Sequence, residues 1–246
     1  MVRGIVSAGH PVTADAAAEI LKDGGNAFDA AIAGLLACLT PETVLASLGG
    51  GGYLMAYDAT TDQTTLYDFF VDTPRLKRPA GEIDFRSVHV DFGPATQEFH
   101  VGVGATATPG FVPGIFAVHA DLCSLPMTRI AEPAVRIARD GVTMTPFQAY
   151  LFSIIAPILT LEEAGAALHA PEGHVLAAGE CFRNPALADT LERLAREGAD
   201  LFIHGDVGKA ILHQSAEAGG HLSLEDLEGY RVEKRLPLNW MHHGHD

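Results

Sequence analysis

The chain has 246 residues, 48% of them hydrophobic and 19% charged, with a formal net charge of −15. That size and composition allow a sizeable buried core of ordinary globular type, and the acidic balance argues against a nucleic-acid backbone or an anionic membrane as partner, since both require a basic surface. Cys38, Cys123 and Cys181 are widely spaced and form no CxxC pair, which excludes a disulfide framework and a zinc ribbon.

Residues 1–6 hold no apolar run of secretory length, and no later stretch is long enough to span a bilayer, so a cytoplasmic protein is expected. Thr13 reads as the N-cap of a first helix that carries Ala17, Ile20 and Leu21 on one face and stops at Gly24-Gly25. Asn26 caps a second helix over residues 27–39, with Asp29 in the first turn, where a negative charge suits the positive helix end. That helix contains one aspartate and no lysine, arginine or glutamate, so burial on all sides is expected, with Cys38 as a small core residue. Residues 49–52 are consecutive glycines that permit positive φ and close backbone approach. Residues 53–57 and 64–71 then read as the strands of a hairpin joined by the polar turn 58–63.

Residues 75–97 are polar and lack a helical period, apart from a strand-like alternation at 88–92. Ordered connections of that length often border sites. Residues 101–114, VGVGATATPGFVPG, predict a strand of small residues running into glycine-containing turns before a helix at 115–122. Helices follow at 128–140, with Pro133 placed in the first turn and a stop at Gly141, and at 147–159. Residues 162–181 are less regular. Asn184-Pro185 opens a helix that stops at Gly198, and another passes through Ile211 and Leu212 to Gly219-Gly220. Ser223 to Asp226 forms a short capped helix, and residues 230–238 read as a strand. No repeat, low-complexity tract or linker interrupts the pattern, so residues 1–246 are read as a single domain.

His10-Pro11, then Lys22-Asp23-Gly24-Gly25-Asn26-Ala27-Phe28-Asp29-Ala30-Ala31-Ile32-Ala33, then four glycines with an aromatic, then Asp68 to Pro74, occur in an order and spacing that closely resemble the γ-glutamyltransferase family. With Pro109-Gly110 and the helices after it, the resemblance runs over residues 7–238. It implies an α+β fold, the four-layer αββα sandwich of N-terminal-nucleophile hydrolases, with this chain as the large subunit and a second chain completing it. It also implies a proenzyme that cuts itself before a threonine. The partner small subunit would carry that threonine as nucleophile, and a dimer of such heterodimers is an assembly the resemblance allows. An amide would be cleaved through an acyl-enzyme without a metal or organic cofactor. A non-catalytic scaffold homologue is the rival from another class.

Within the chain itself no catalytic centre is evident. The glycine run lacks a following Gly-Lys-Ser/Thr and precedes a strand, so it is no phosphate loop, and no GxSxG elbow supports a serine triad. His10 is read as a structural hydrogen-bonding residue at a strand-to-helix turn. His242, His243, His245 and Asp246 are of metal-binding type, but neighbouring imidazoles on a tail lack the outer support an oriented site needs, so no metal is expected. The resemblance places Asp246 at or near the processing point, although the family continues with a segment containing Pro-Ser-Ser-Gly-Gly that is not found here. The most specific departure lies after the hairpin. True γ-glutamyl enzymes of the family have Asp-Gly-Arg-Glu-x-Ala-Pro there, and the arginine grips the substrate α-carboxylate. Here Phe70 stands at the arginine position, Val71 at the glutamate, and Asp72 follows. A phenyl ring cannot imitate a bidentate guanidinium–carboxylate pair, so Phe70, Val71 and Asp72 predict a substrate wall without strong γ-glutamyl preference. Arg75 or Arg78 are the nearby guanidinium groups that could substitute, and the alternative reading is then a true γ-glutamyl transferase or glutathione hydrolase.

Overall fold

The computed structural model describes residues 4–241. The helices are α1 Pro11–Lys22, α2 Ala27–Ala37, α3 Phe111–Leu122, α4 Met127–Asp140, α5 Pro146–Leu159, α6 Glu163–His169, α7 Pro185–Glu197, α8 Asp206–Glu217 and α9 Leu224–Gly229. The strands are β1 Gly52–Asp58, β2 Gln63–Phe69, β3 Arg86–Asp91, β4 Thr96–Val101, β5 Val142–Thr143, β6 Cys181–Phe182 and β7 Glu233–Arg235. They form an antiparallel sheet in the order β1-β2-β7 and two separate two-stranded ladders, β3-β4 and β5-β6.

The three-stranded sheet has two unlike faces. Ala56, Tyr67 and Phe69 point inward and are buried, joining a core built from α1, α2, α3, α4 and α7. The opposite face carries Tyr53, Met55 and Tyr57, all exposed, across from Asp68, Leu66 and Thr64. Strand period places successive side chains on opposite sides, so one strand serves core and surface at once. Gly114 lets α3 lie directly on the sheet, because a Cβ there would run into the Phe69 ring. A second apolar cluster, Val142, Met144, Phe152, Leu176 and Phe182, packs α5 against the β5-β6 ladder.

The α1–α2 junction follows the sequence closely, with one shift. Thr13 does not cap α1. Pro11 occupies the first turn and the His10 Nδ1 accepts the Val12 N–H at 3.2 Å, while the Thr13 hydroxyl donates to Glu42 at 3.0 Å. His10 is thus the structural hydrogen-bonding residue expected, although what precedes it is extended coil rather than strand. Gly24 takes φ 93° just past the helix end. Asn26 and Asp29 form a reciprocal capping box on α2, whose buried residues include Ile32, Ala33, Leu36 and Ala37. The burial is not complete, since Ala31, Gly34, Leu35 and Cys38 are half-covered.

Other boundaries differ more. The β3-β4 hairpin occupies much of the polar 75–97 stretch and extends the short strand expected at 88–92. The small-residue strand after Val101 is replaced by a helical turn at Val103–Ala105, leaving a single bridge between Asp72 and Thr108. The following helix, α3, begins at Phe111 rather than Ile115, with Pro113 in its first turn. Pro133 is the reverse case: it lies inside α4 and is buried there, not in the first turn. Residues 163–169 form α6 within the stretch read as irregular, and only Glu233–Arg235 of the expected strand 230–238 pairs, against β2.

Candidate functional site

The end of β2 is the best-defined feature on the open face of the sheet. The strand stops at Phe69, so Phe70 and Val71 leave the ladder earlier than their sequence suggests. The backbone there is held from several sides. Gly51 passes so close that a Cβ on it would stand 2.6 Å from the Phe69 carbonyl oxygen and 2.8 Å from the Val71 nitrogen. None of residues 49–52 adopts positive φ, so close approach is the reason for glycine here. The Tyr230 hydroxyl donates to the Phe70 carbonyl at 2.7 Å, and the Phe70 N–H donates to the Asp68 carboxylate at 3.2 Å. Burial and the nearby carboxylates of Asp72 and Asp68 push the Tyr230 phenol up to about 12, so it stays protonated and able to donate. Asp72 exchanges backbone hydrogen bonds with Thr108, N–H to carbonyl in both directions.

On this fixed backbone the Phe70 ring is half exposed and stacks on Tyr53, centroids 5.5 Å apart and planes 11° from parallel. Tyr53 also lines a cleft of about 370 Å³ beneath the glycine loop. Phe70, Val71 and Asp72 are therefore together at one end of the central strand, as sequence neighbours must be, but only the Phe70 ring is an exposed apolar surface. Val71 is half-buried, and the exposed Asp72 joins the wall through its backbone.

The two alternative guanidinium groups point elsewhere. Arg75 reaches Glu225 at 3.3 Å, and its own N–H donates to the buried Asp226 carboxylate at 2.8 Å. Arg78 donates to the carbonyls of Gly220 at 2.5 Å and Ala216 at 3.1 Å, closing the end of α8. Arg235, which sequence reading missed, is nearer. It lies on β7 and pairs with Asp68 at 2.9 Å. Its placement depends on β7 lying beside β2, a pairing between residues far apart in the chain. Tyr53 was missed for a different reason: alternation along β1 puts it on the same face as Met55 and Tyr57, a signal present but not used.

A larger cleft, about 1180 Å³, opens on the other side of the glycine loop between the β3-β4 ladder, the end of α5 and α8. Its cation, Arg86, is held by Asp84 at 2.7 Å and Glu162 at 2.6 Å. Among the described residues no group of three or more histidine, cysteine or acidic side chains gathers as a metal site. The candidate metal residues His242, His243 and His245, and the processing residue Asp246, lie outside the described residues. No described helix is long and apolar enough to cross a membrane.

Comparison with known proteins places this geometry. The sequence model of the gamma-glutamyltranspeptidase family matches residues 13–246. The chain is 30% identical over 241 residues to the capsule biosynthesis protein CapD proenzyme of Bacillus anthracis, covering 98% of this chain and 40% of that one. It is 30% identical over 246 residues to the acylase ACY 1 proenzyme of Pseudomonas sp. (strain SE83), covering 99% and 44%. The match to the glutathione hydrolase proenzyme of Bacillus subtilis is 28% over 236 residues, covering 96% and 39%. The chain thus spans about two fifths of the length of these curated relatives. In structure it superimposes on CapD with TM-score 0.77 at 29% identity, covering 98% of this chain and 74% of that one. The γ-glutamyltranspeptidase of Pseudomonas nitroreducens, solved with L-DON, gives TM-score 0.79 at 28% identity, covering 96% and 68%. The expected α+β class and N-terminal-nucleophile hydrolase fold hold, and the chain belongs to the gamma-glutamyltranspeptidase family.

Proposed function

We propose that this chain is the large-subunit part of an N-terminal-threonine amidohydrolase that cleaves an amide through an acyl-enzyme and does not depend on gripping a γ-glutamyl α-carboxylate. The observation that carries this reading is the half-exposed Phe70 ring, fixed at the end of the central strand of a sheet whose outer face has no layer over it among the described residues. Helices cover the inner face alone, as expected of one half of a four-layer sandwich, with a second sheet from the partner chain on the outer face. Relatives named as proenzymes, of which this chain spans about two fifths, are consistent with such processing.

In this reading the chemistry belongs to the partner. The threonine hydroxyl oxygen attacks the amide carbonyl carbon while its proton passes to the threonine's own α-amine. Donors around the developing oxyanion stabilise the tetrahedral intermediate. The C–N bond breaks, and the leaving amine takes the proton. Water or an amine acceptor then attacks the ester and restores the hydroxyl. The present chain supplies the wall against which the acyl group lies. With Arg75 on Glu225 and Arg78 on the end of α8, neither guanidinium supports a carboxylate site at Phe70.

The test is expression of the complete gene product. Two co-purifying chains, the smaller beginning with threonine, are expected, together with hydrolysis of neutral acyl anilides in preference to a γ-glutamyl anilide. Phe70→Arg should raise γ-glutamyl turnover by about tenfold or more, the scale of one added charge-assisted hydrogen bond. A single uncut chain without activity would leave only a scaffold homologue. One observation favours a second reading, true γ-glutamyl transfer: Arg235 stands beside Asp68 on the open face. In that case Arg235→Leu would abolish γ-glutamyl turnover, and Phe70→Arg would add little.

A further inference from the structure

We propose that the cleft beneath the glycine loop is an acyl-side-chain subsite, walled by Tyr53, Phe69 and Phe111, and that it takes the flat aromatic group of an aryl-acyl amide. This rests on the amidohydrolase reading and names the substrate class of that site. The cleft, about 370 Å³, is lined by Leu35, Val44, Leu45, Tyr53, Phe69 and Phe111, and the rest of its wall is small or uncharged. A closed apolar void of about 150 Å³ already admits benzene, so the cleft has room for a phenyl ring with its linker. No charged side chain lines the cleft, so a carboxylate entering it would lose water without gaining a charged partner.

The Tyr53 side of the cleft is also braced, by its stack on Phe70. Tyr53 and Phe70 are parallel within 11°, and both remain about half exposed, 59% and 51%. A ring in the cleft gains the preference of aromatic groups for offset or edge contact with Tyr53, Phe69 and Phe111. The platform starts rigid. Gly51 crowds the backbone under Phe70, and the Tyr230 hydroxyl fixes its carbonyl. A ligand therefore does not have to order it on binding.

The experiment uses the complete processed protein with phenylacetyl- and γ-glutamyl-p-nitroanilide as paired substrates. Wild type should favour the phenylacetyl substrate by at least about tenfold in kcat/KM, and phenylacetate should inhibit competitively. Tyr53→Ala should lower the phenylacetyl to γ-glutamyl ratio by about tenfold, and Tyr53→Phe should preserve it. Leu45→Trp, which fills the cleft from its exposed rim, should lower the ratio likewise and decides the matter if Tyr53→Ala does not fold. A ratio unmoved by these changes, or a wild-type preference for the γ-glutamyl substrate, overturns the subsite and leaves amide hydrolysis intact. Processed protein that turns over neither substrate overturns the amidohydrolase reading itself, a separate result because no ratio then exists.

Discussion

Asp29 is fully buried, yet its surroundings keep it ionised. Its carboxylate accepts the backbone N–H groups of Asn26 at 2.7 Å, Ser124 at 3.0 Å and Leu125 at 3.1 Å, and the Ser124 hydroxyl at 2.6 Å. Burial pushes its pKa up, but the hydrogen bonds from Ser124, Asn26 and Leu125 outweigh that and hold it below the usual carboxylate range. One side chain thus closes the start of α2 and fastens it to the turn between α3 and α4. The sign of the pH effect follows. With the folded pKa below an unfolded value of about 3.9, this stabilisation is complete above about pH 4 and is lost as pH falls through the folded value. Asp29→Ala leaves those donors buried without an acceptor and should cost about 3 kcal/mol at pH 7. Asp29→Asn should cost less, and its deficit against wild type should shrink on acidification. Urea midpoints at pH 7 and pH 3 check this; a deficit equal at both would mean that the charge contributes nothing. The capping pair was legible because Asn26 and Asp29 have the spacing their chemistry needs. Thr13 misled because its hydroxyl had two uses, and the contact with Glu42, far along the chain, won.

Local patterning made the main elements readable wherever they carry their own caps or stops, as with α2, α7 and the β1-β2 hairpin. It failed where partners distant in sequence decide. β7 is three residues long and exists through pairing with β2 and through Lys234, which bonds to Asp121 at 2.6 Å beside the Tyr67 hydroxyl. α6 is short, its alanines and glycine carry little period, and it meets the second apolar cluster only through its last turn, Leu168 and His169. That packing contains a titratable element. The half-buried His169 ring is stacked on Phe182, 5.7 Å away, and meets Phe152 edge-on, while its Nδ1 contacts the Gly165 carbonyl at 2.9 Å. Burial lowers its pKa from the usual value, only partly countered by that carbonyl. A histidine depressed in the folded state is stabilising when neutral, so the benefit is complete above an unfolded value of about 6.5 and declines as pH falls through the folded one. Stability should therefore drop as pH falls below about 6.5, and His169→Phe should flatten that slope. Urea midpoints across the range, with hydrogen exchange at residues 146–169, would show it. An equal slope in the variant would place the titrating group elsewhere.

At the scale of the whole molecule, the sheet decides what this chain is able to be alone. Its inner face is filled by Ala56, Tyr67 and Phe69, while the outer face presents Tyr53, Met55, Tyr57 and Phe70, with exposures of 51% to 64%. A contiguous apolar row of this kind marks an interaction surface more often than ordinary monomer surface. Antiparallel sheets tolerate one solvated face when it is polar, and here the β1 strip of that face is apolar, although Asp68, Thr64 and Arg235 lie beside it. Tyr53 belongs to this row and also lines the cleft beneath the glycine loop, so contributions to ligand and to assembly should separate by position along β1. Met55 sits farther from the stack, opposite Leu66, with Tyr57 beyond it. In the complete gene product Met55→Asp would place a carboxylate in the centre of a sheet-on-sheet contact, where losing its hydration costs several kcal/mol. The small chain should then fail to co-purify, or the precursor should remain uncut, while circular dichroism still reports the helices, because the inner core is untouched. Met55→Leu should leave assembly intact. If the aspartate variant is processed and co-purifies with wild-type thermal stability, the second sheet does not lie on this face, and the exposed aromatics would have to be accounted for by ligand contacts alone.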